Sequence, residues 1–155
     1  MKIVRAISGD ASDLSAIAWA AKAFWGYPPH WLEQWRELLT ITPEFIAENE
    51  TFVAMIDRRP VGFYALNEGP NPTSLEHLWV LPERIGHGIG RALFQHAVGR
   101  AATLGATSLT IEADPHAEPF YLHMGADRVG EIASEVADLR RELPLLTIDL
   151  SSRRH

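Results

Sequence analysis

Apolar residues recur along this chain with two different periods, and the switches between them mark out its elements. Residues 2–7 alternate as K-I-V-R-A-I and read as an opening strand. Asp10, with Asp13 three residues on, approximates a capping box. Behind it Leu14, Ile17, Ala18, Ala21, Phe24 and Trp25 keep helical spacing until Gly26 and Pro28 end the run. A second helix is predicted over residues 29–39, and a short third from Thr42, with Pro43 at the favoured first helical position. Strand character returns over residues 51–56 and 61–66, on either side of Asp57-Arg58-Arg59-Pro60, which predicts a hairpin. Residues 67–73 form a turn-rich loop, and residues 75–81 a strand closed by Pro82. Ile89, Leu93, Phe94, Ala97, Val98, Ala101 and Leu104 make one stripe over residues 88–104, the clearest helix of the chain, stopped by Gly105. A strand over residues 108–113 puts Leu109, Ile111 and Ala113 on one face. Asp114 is placed to cap a short helix with Pro115 at its first position and Gly125 past its end. Residues 129–132 and 143–150 close the chain as strands.

The order β-α-α-α-β-β-β-α-β-α-β-β restricts the fold. Strand, long helix, strand and short helix in the second half imply a locally parallel pair joined by a right-handed crossover, while the hairpin and the closing strands pair antiparallel. The expected architecture is α/β of the α+β kind: one domain over residues 1–155, its mixed sheet having about seven strands, a central parallel pair and helices on both faces. Composition supports this and narrows the function. The chain is 46% hydrophobic and 22% charged, an ordinary globular mixture. It has no cysteine, which excludes a disulfide scaffold, a thiolate metal site and a cysteine nucleophile. Fourteen Lys and Arg against 20 Asp and Glu give a net charge of −6, which argues against a nucleic-acid partner. The most apolar stretch, from Ala16 to Trp25, is broken by Lys22 and falls short of the ~18 residues of a membrane span. The N-terminus lacks the apolar core of a signal peptide, so a cytoplasmic location and no membrane partner are expected.

The chemistry is concentrated in Val80-Leu81-Pro82-Glu83-Arg84-Ile85-Gly86-His87-Gly88-Ile89-Gly90-Arg91, where three glycines alternate between a strand end and a long helix. Such a turn, with the free N–H groups and positive dipole end of a helix, suits a phosphate. A Walker A loop fails, because the only lysines are Lys2 and Lys22. The dinucleotide fingerprint fails on spacing, since its third glycine falls on Arg91 or Leu93. The segment instead resembles motif A of the GNAT superfamily of acetyl-CoA-dependent N-acetyltransferases, [R/Q]-x-x-G-x-[G/A] after a V-x-P strand end. It departs at its first position, where Ile85 stands for Arg or Gln beside Arg84. Asp114-Pro115-His116-Ala117-Glu118-Pro119-Phe120-Tyr121-Leu122-His123-Met124-Gly125-Ala126 resembles the superfamily's following Asn/Asp-x-x-A-x-x-F-Y-x-x-x-G-[FA] segment. The likeness is firm over residues 75–129. It extends weakly to Ala18, Trp25-Gly26-Tyr27 and Arg141-Glu142-Leu143-Pro144-Leu145-Leu146, as in an uncharacterised bacterial branch.

The resemblance implies a fold in which the strands over residues 75–80 and 108–113 splay at their C-terminal ends, with acetyl-CoA in the gap as co-substrate. Its pantetheine arm would pair with backbone near Leu78 and Val80. Its diphosphate would lie over Ile85, Gly86, His87, Gly88, Ile89, Gly90 and Arg91, with Asp114, Ala117, Phe120 and Tyr121 completing the cofactor side. An amine would attack the thioester directly and needs a base. Glu76 leads, because alternation puts it with Leu78 and Val80; His77 and then Glu112 follow. Tyr121, in the F-Y pair, would serve the leaving thiol as a proton donor.

The acceptor side falls to the N-terminal helices, where Trp19, Trp25, Trp31 and Trp35 gather with Phe24 and Tyr27. Trp25, Tyr27 and Trp31 are the candidate acceptor residues, with Trp31 and Trp35 expected to stack on one helix face. Such walls suit an apolar or cationic amine; helix packing and a homodimer surface are the other readings of the same cluster. His116 and His123 share a helix face but lack a third ligand, so they read as surface histidines, and no metal is expected. Three functions stay open: acetyl transfer to a small-molecule or peptide amine, a catalytically silent acyl-CoA-binding sensor, and acetylation of a macromolecule.

Overall fold

The computed structural model describes residues 1–67, 73–137 and 139–151. A single sheet of seven strands runs in the order β1-β2-β3-β4-β5-β7-β6. The first three are β1 (Lys2–Arg5), β2 (Glu50–Ile56) and β3 (Arg59–Asn67), followed by β4 (Thr73–Val80), β5 (Ser108–Glu112), β6 (Asp127–Val136) and β7 (Leu139–Asp149). Only β4 and β5 are parallel; every other neighbouring pair is antiparallel. The mixed sheet and its central parallel pair are those expected. The loop expected over residues 67–73 is strand at both ends, in Asn67 and Thr73, and its interior lies outside the described residues.

Helices cover both faces. On one, α1 (Ala11–Phe24), α2 (Pro29–Gln34), α3 (Arg36–Leu39) and α4 (Pro43–Glu48) seal a core of Leu14, Ile17, Leu39, Ile41, Val53 and Phe63. On the other, α5 (Ile89–Thr103) and α6 (Glu118–His123) bury Leu93, Phe94, Ala97 and Tyr121 against Tyr64, Leu66, Leu109 and Leu146. The stripe of α5 that faces the sheet is the one the sequence spacing picks out from Ile89 to Ala101; Leu104, expected in it, lies just past the helix and is exposed. No helix among the described residues is long and apolar enough to cross a membrane.

Four local expectations change. The opening strand ends at Arg5, because Ile7 enters a 3-10 turn over Ser8–Asp10 in which its N–H donates to Asp10 Oδ2 at 2.8 Å. The helix expected over residues 29–39 breaks at Trp35, whose φ and ψ of −90° and 0° divide α2 from α3. The helix expected from Pro115 begins only at Glu118, residues 115–117 forming a turn over which Asp114 Oδ1 accepts from the His116 N–H at 2.8 Å. The closing strands are longer than expected, β6 and β7 forming a hairpin paired from Asp127↔Thr147 to Val136↔Leu139.

Candidate functional site

Parallel pairing of β4 with β5 lasts three residues, Thr73↔Leu109, Ser74↔Thr110 and Leu75↔Ile111. Beyond it β4 continues on β3 alone, to Gly62↔Val80, while β5 turns to β7 with Glu112↔Leu145. The two strands therefore part at their C-terminal ends, and one edge of β4 from residue 76 on faces the gap. A surface hollow lined by Arg5, Ile7, Pro43, Ile46 and Glu50 lies at the other end of the sheet, away from this opening.

The glycine-rich turn borders the gap. A 3-10 turn over Pro82–Arg84 leads from β4 to Gly86 and Gly88, with φ of 89° and 79°. Both lie in the left-handed region that glycine enters without a Cβ clash, and Gly88 is the N-cap of α5. Ala92 N–H donates to Gly88 O. Among the described residues, no N–H of residues 86–91 donates a hydrogen bond to protein. Six amides thus lack a protein acceptor beside the positive end of a 15-residue helix. Ile85 is 50% exposed, whereas Ile89 is 2% exposed and offers the loop only its amide, its side chain being core. Gly90 sits under α6, where an added Cβ would meet the Phe120 ring at 3.6 Å, an ordinary contact.

A one-residue bulge alters the candidate bases. Leu66 pairs with Leu75 and Ala65 with His77, leaving Glu76 as the extra residue. Simple alternation therefore fails. Leu75, Leu78 and Val80 pack on the α5 side, His77 and Trp79 on the α1 side, and Glu76 is not placed with Leu78 and Val80 by register. Its exposed carboxylate accepts from Ser74 Oγ at 2.8 Å. His77 is enclosed by Phe45 and Phe63, and its Nδ1 accepts from Trp79 Nε1 at 2.9 Å. Burial pulls its pKa down to about 4, so it is neutral and a weak base near pH 7. Glu112, at the end of β5, is exposed.

Tyr121 packs against Phe94 and Phe120 with ring centroids at 5.6 and 5.2 Å. Burial first, and the Asp114 charge second, push its phenol well above the usual tyrosine range, so it holds its proton as a donor. Among the described residues its hydroxyl has no protein partner, yet no side-chain oxygen is both sealed and unpartnered. The hydroxyl therefore keeps contact with solvent.

The aromatics expected on the acceptor side do come together, around a charged network that sequence reasoning did not assemble. Lys22 Nζ, near the end of α1, bonds Asp114 Oδ2 at 2.6 Å just past β5 and lies 6.0 Å from the Trp79 ring on β4. Lys22 thus bridges the mouth of the gap. Tyr27 Oη donates to Asp114 Oδ2 at 2.8 Å and accepts from Arg141 Nη2 at 2.9 Å. His116 stacks on Trp25 at 5.0 Å, and its backbone N–H and Nδ1 both reach Asp114 Oδ1, at 2.8 and 3.0 Å. Burial works against ionising Asp114, but the Lys22 charge and hydrogen bond overcome it and hold the carboxyl below its usual range. Burial lowers the Lys22 ammonium despite Asp114, with Arg141 adding to the fall. Burial and Asp114 push Tyr27 up to about 12. Asp114, expected on the cofactor side, is committed to this network. Trp31 and Trp35 meet edge to face at 84° rather than stacked, and Trp19 is covered by Arg36. Lys22 and Arg141 lie 92 and 27 residues from Asp114 along the chain. Only the weak likeness around Arg141 hinted at that residue, and no local pattern pointed to Lys22.

Comparison with known proteins agrees with this geometry. The acetyltransferase (GNAT) family profile matches residues 13–126. The peptidyl-lysine N-acetyltransferase YjaB of Salmonella typhimurium is 34% identical over 113 residues, 72% of this chain and 72% of its own length. In three dimensions the chain is similar to a GCN5-related N-acetyltransferase from Rhodopseudomonas palustris, with TM-score 0.82 at 22% identity over 96% of this chain and 95% of that one. It is also similar to the PaiA N-acetyltransferase of Thermoplasma acidophilum, solved in complex with coenzyme A, with TM-score 0.80 at 18% identity over 96% and 98%. An open strand edge, unbonded amides at a helix head and these likenesses lead to one assignment: the chain belongs to the acetyltransferase (GNAT) family and is an acyltransferase.

Proposed function

We propose that this chain transfers the acetyl group of acetyl-CoA directly to a primary amine of a peptide or small molecule. The YjaB relatives are peptidyl-lysine N-acetyltransferases, which makes peptidyl lysine the first acceptor to test. The observation that carries the reading is the run of unbonded amides at residues 86–91 beside the gap between β4 and β5. These amides and the α5 dipole hold a diphosphate, and the open edge of β4 near Leu78 and Val80 pairs with an extended pantetheine arm as an added strand. Acetyl-CoA, so held, supplies an activated acyl group.

The chain's own groups handle the protons. Glu76, exposed at the bulge, takes the proton of the amine directly or through water. His77 is too weak a base and too enclosed for that role. Tyr121 Oη, kept protonated by burial, donates a hydrogen bond to the departing sulfur, which leaves as the coenzyme A thiolate. The backbone N–H near Val80 stabilises the oxygen on which charge develops.

The test is thiol release from acetyl-CoA over lysine peptides and small amines, with binding of acetyl-CoA measured alongside. Turnover on at least one acceptor is expected, and Tyr121→Phe should lower kcat about 10–100-fold while leaving cofactor affinity within about twofold. Saturable cofactor binding with no turnover on any amine would return the chain to a silent sensor. Unchanged kcat in the Phe variant would remove Tyr121 from the mechanism.

A further inference from the structure

The rings on the acceptor side already face cations that belong to the protein. Lys22 Nζ lies 4.2 Å from the Trp35 centroid, and the Arg141 guanidinium carbon lies 5.1, 5.5 and 5.4 Å from those of Tyr27, Trp31 and Trp35. An aromatic cage for a cationic acceptor would need those faces free. The charges are also unequal: Lys22 and Arg141 share the single carboxylate of Asp114, which bonds Lys22 directly and reaches Arg141 only through the Tyr27 hydroxyl. Among the described residues, no acidic side chain pairs with Arg141 and the only hydrogen bond of its guanidinium is the one to Tyr27. This half-buried nest is therefore cationic in a chain whose net charge is −6.

We propose, resting on the acetyltransferase reading above, that Arg141 is a specificity residue that binds a carboxylate carried by the acceptor close to its amine. Three things fit it for this. The guanidinium is oriented in advance by three rings and one hydrogen bond, so little freedom is lost on binding. Its remaining N–H groups form a planar fork that matches a carboxylate's two oxygens. Its network reaches Lys22 and Asp114 at the mouth of the gap, so an acceptor seated on Arg141 has its other end directed toward the open edge of β4. The carboxylate has two sources, an acidic residue beside a peptide's lysine or the α-carboxylate of a free amino acid.

The experiment compares twin acceptors that differ only in that charge: a lysine peptide flanked by Glu against the same peptide flanked by Gln, and free lysine against lysinamide. In the wild type, kcat/KM should favour the carboxylate twin of at least one pair by about tenfold or more, chiefly through KM, and the pair that responds identifies the source. Arg141→Gln should abolish the preference, and Arg141→Lys should restore part of it. Equal rates on both twins in the wild type, or a preference that survives in Arg141→Gln, overturns the proposal; so does an equal loss on both twins. The ratio between twins is read for each folded variant, and the wild-type ratio decides alone where a variant fails to fold. Acetyl-CoA binding separates the two ideas. If no acceptor turns over, quenching of tryptophan fluorescence by the N-acetylated twins still reports whether the carboxylate is preferred, while the transferase reading falls by itself.

Discussion

His77 is a candidate base on sequence because an ordinary histidine titrates near neutrality, and its surroundings remove that property. Trp79 donates to Nδ1 while Phe45 and Phe63 exclude water, so the charged ring is disfavoured in the fold. The consequence for stability has a definite sign. The folded pKa of about 4 lies below the unfolded value of 6.5, so the unfolded chain binds more protons between the two. The contribution is full above pH 6.5 and is lost as pH falls toward 4, on the order of 3 kcal/mol in all. Urea midpoints of wild type and His77→Gln should therefore converge as pH drops across that window, Gln still accepting from Trp79. Parallel curves would mean the ring is not kept neutral by the fold. Glu76 shows what sequence withholds at this scale. Its identity was legible, but its face was not, because a bulge is a property of the register between two strands.

Among the elements, the helices that seal the core were legible because one apolar stripe served one sheet face. The break between α2 and α3 was not, since the pattern runs on through residues 29–39 and the interruption falls at Trp35, whose ring lies under Lys22 and Arg141. The late start of α6 was not legible either: Asp114 does accept from the His116 N–H, as the sequence places it to, but residues 115–117 form a turn and the helix proper starts at Glu118. The β2–β3 hairpin was legible in place but not in turn type. Asp57 and Arg58 have φ of 51° and 66°, both left-handed, as in a type I′ turn. Neither residue favours that region as an Asn-Gly pair does, so the double substitution Asp57→Asn with Arg58→Gly should stabilise the chain by about 0.5–1 kcal/mol. Chemical denaturation reads this directly, and a loss of stability would contradict the turn assignment.

For the molecule as a whole, one ion pair ties the end of α1 to the end of β5 across the opened sheet. The Lys22 and Asp114 side chains are 13% and 9% exposed, so removing one partner strands the other. Asp114→Asn should cost about 2–4 kcal/mol, and Lys22→Met with Asp114→Leu should recover much of it. If Asp114→Asn stays within about 0.5 kcal/mol of wild type, the pair is not holding these elements together. The glycine-rich turn proposed to hold the cofactor was legible as a turn because its parts lie within one strand–turn–helix segment. The charged network proposed for the acceptor side was not, being gathered from α1, the loop after it, the end of β5 and β7.

The chain has two lysines, Lys2 at the exposed N-terminus and Lys22, whose amine is sheathed by a carboxylate and rings. An activated thioester acylates whatever free amine it meets, so a catalyst of this kind risks labelling its own surface. With the one interior lysine withdrawn behind Asp114, Lys2 is the one lysine side chain left open to such accidental self-marking.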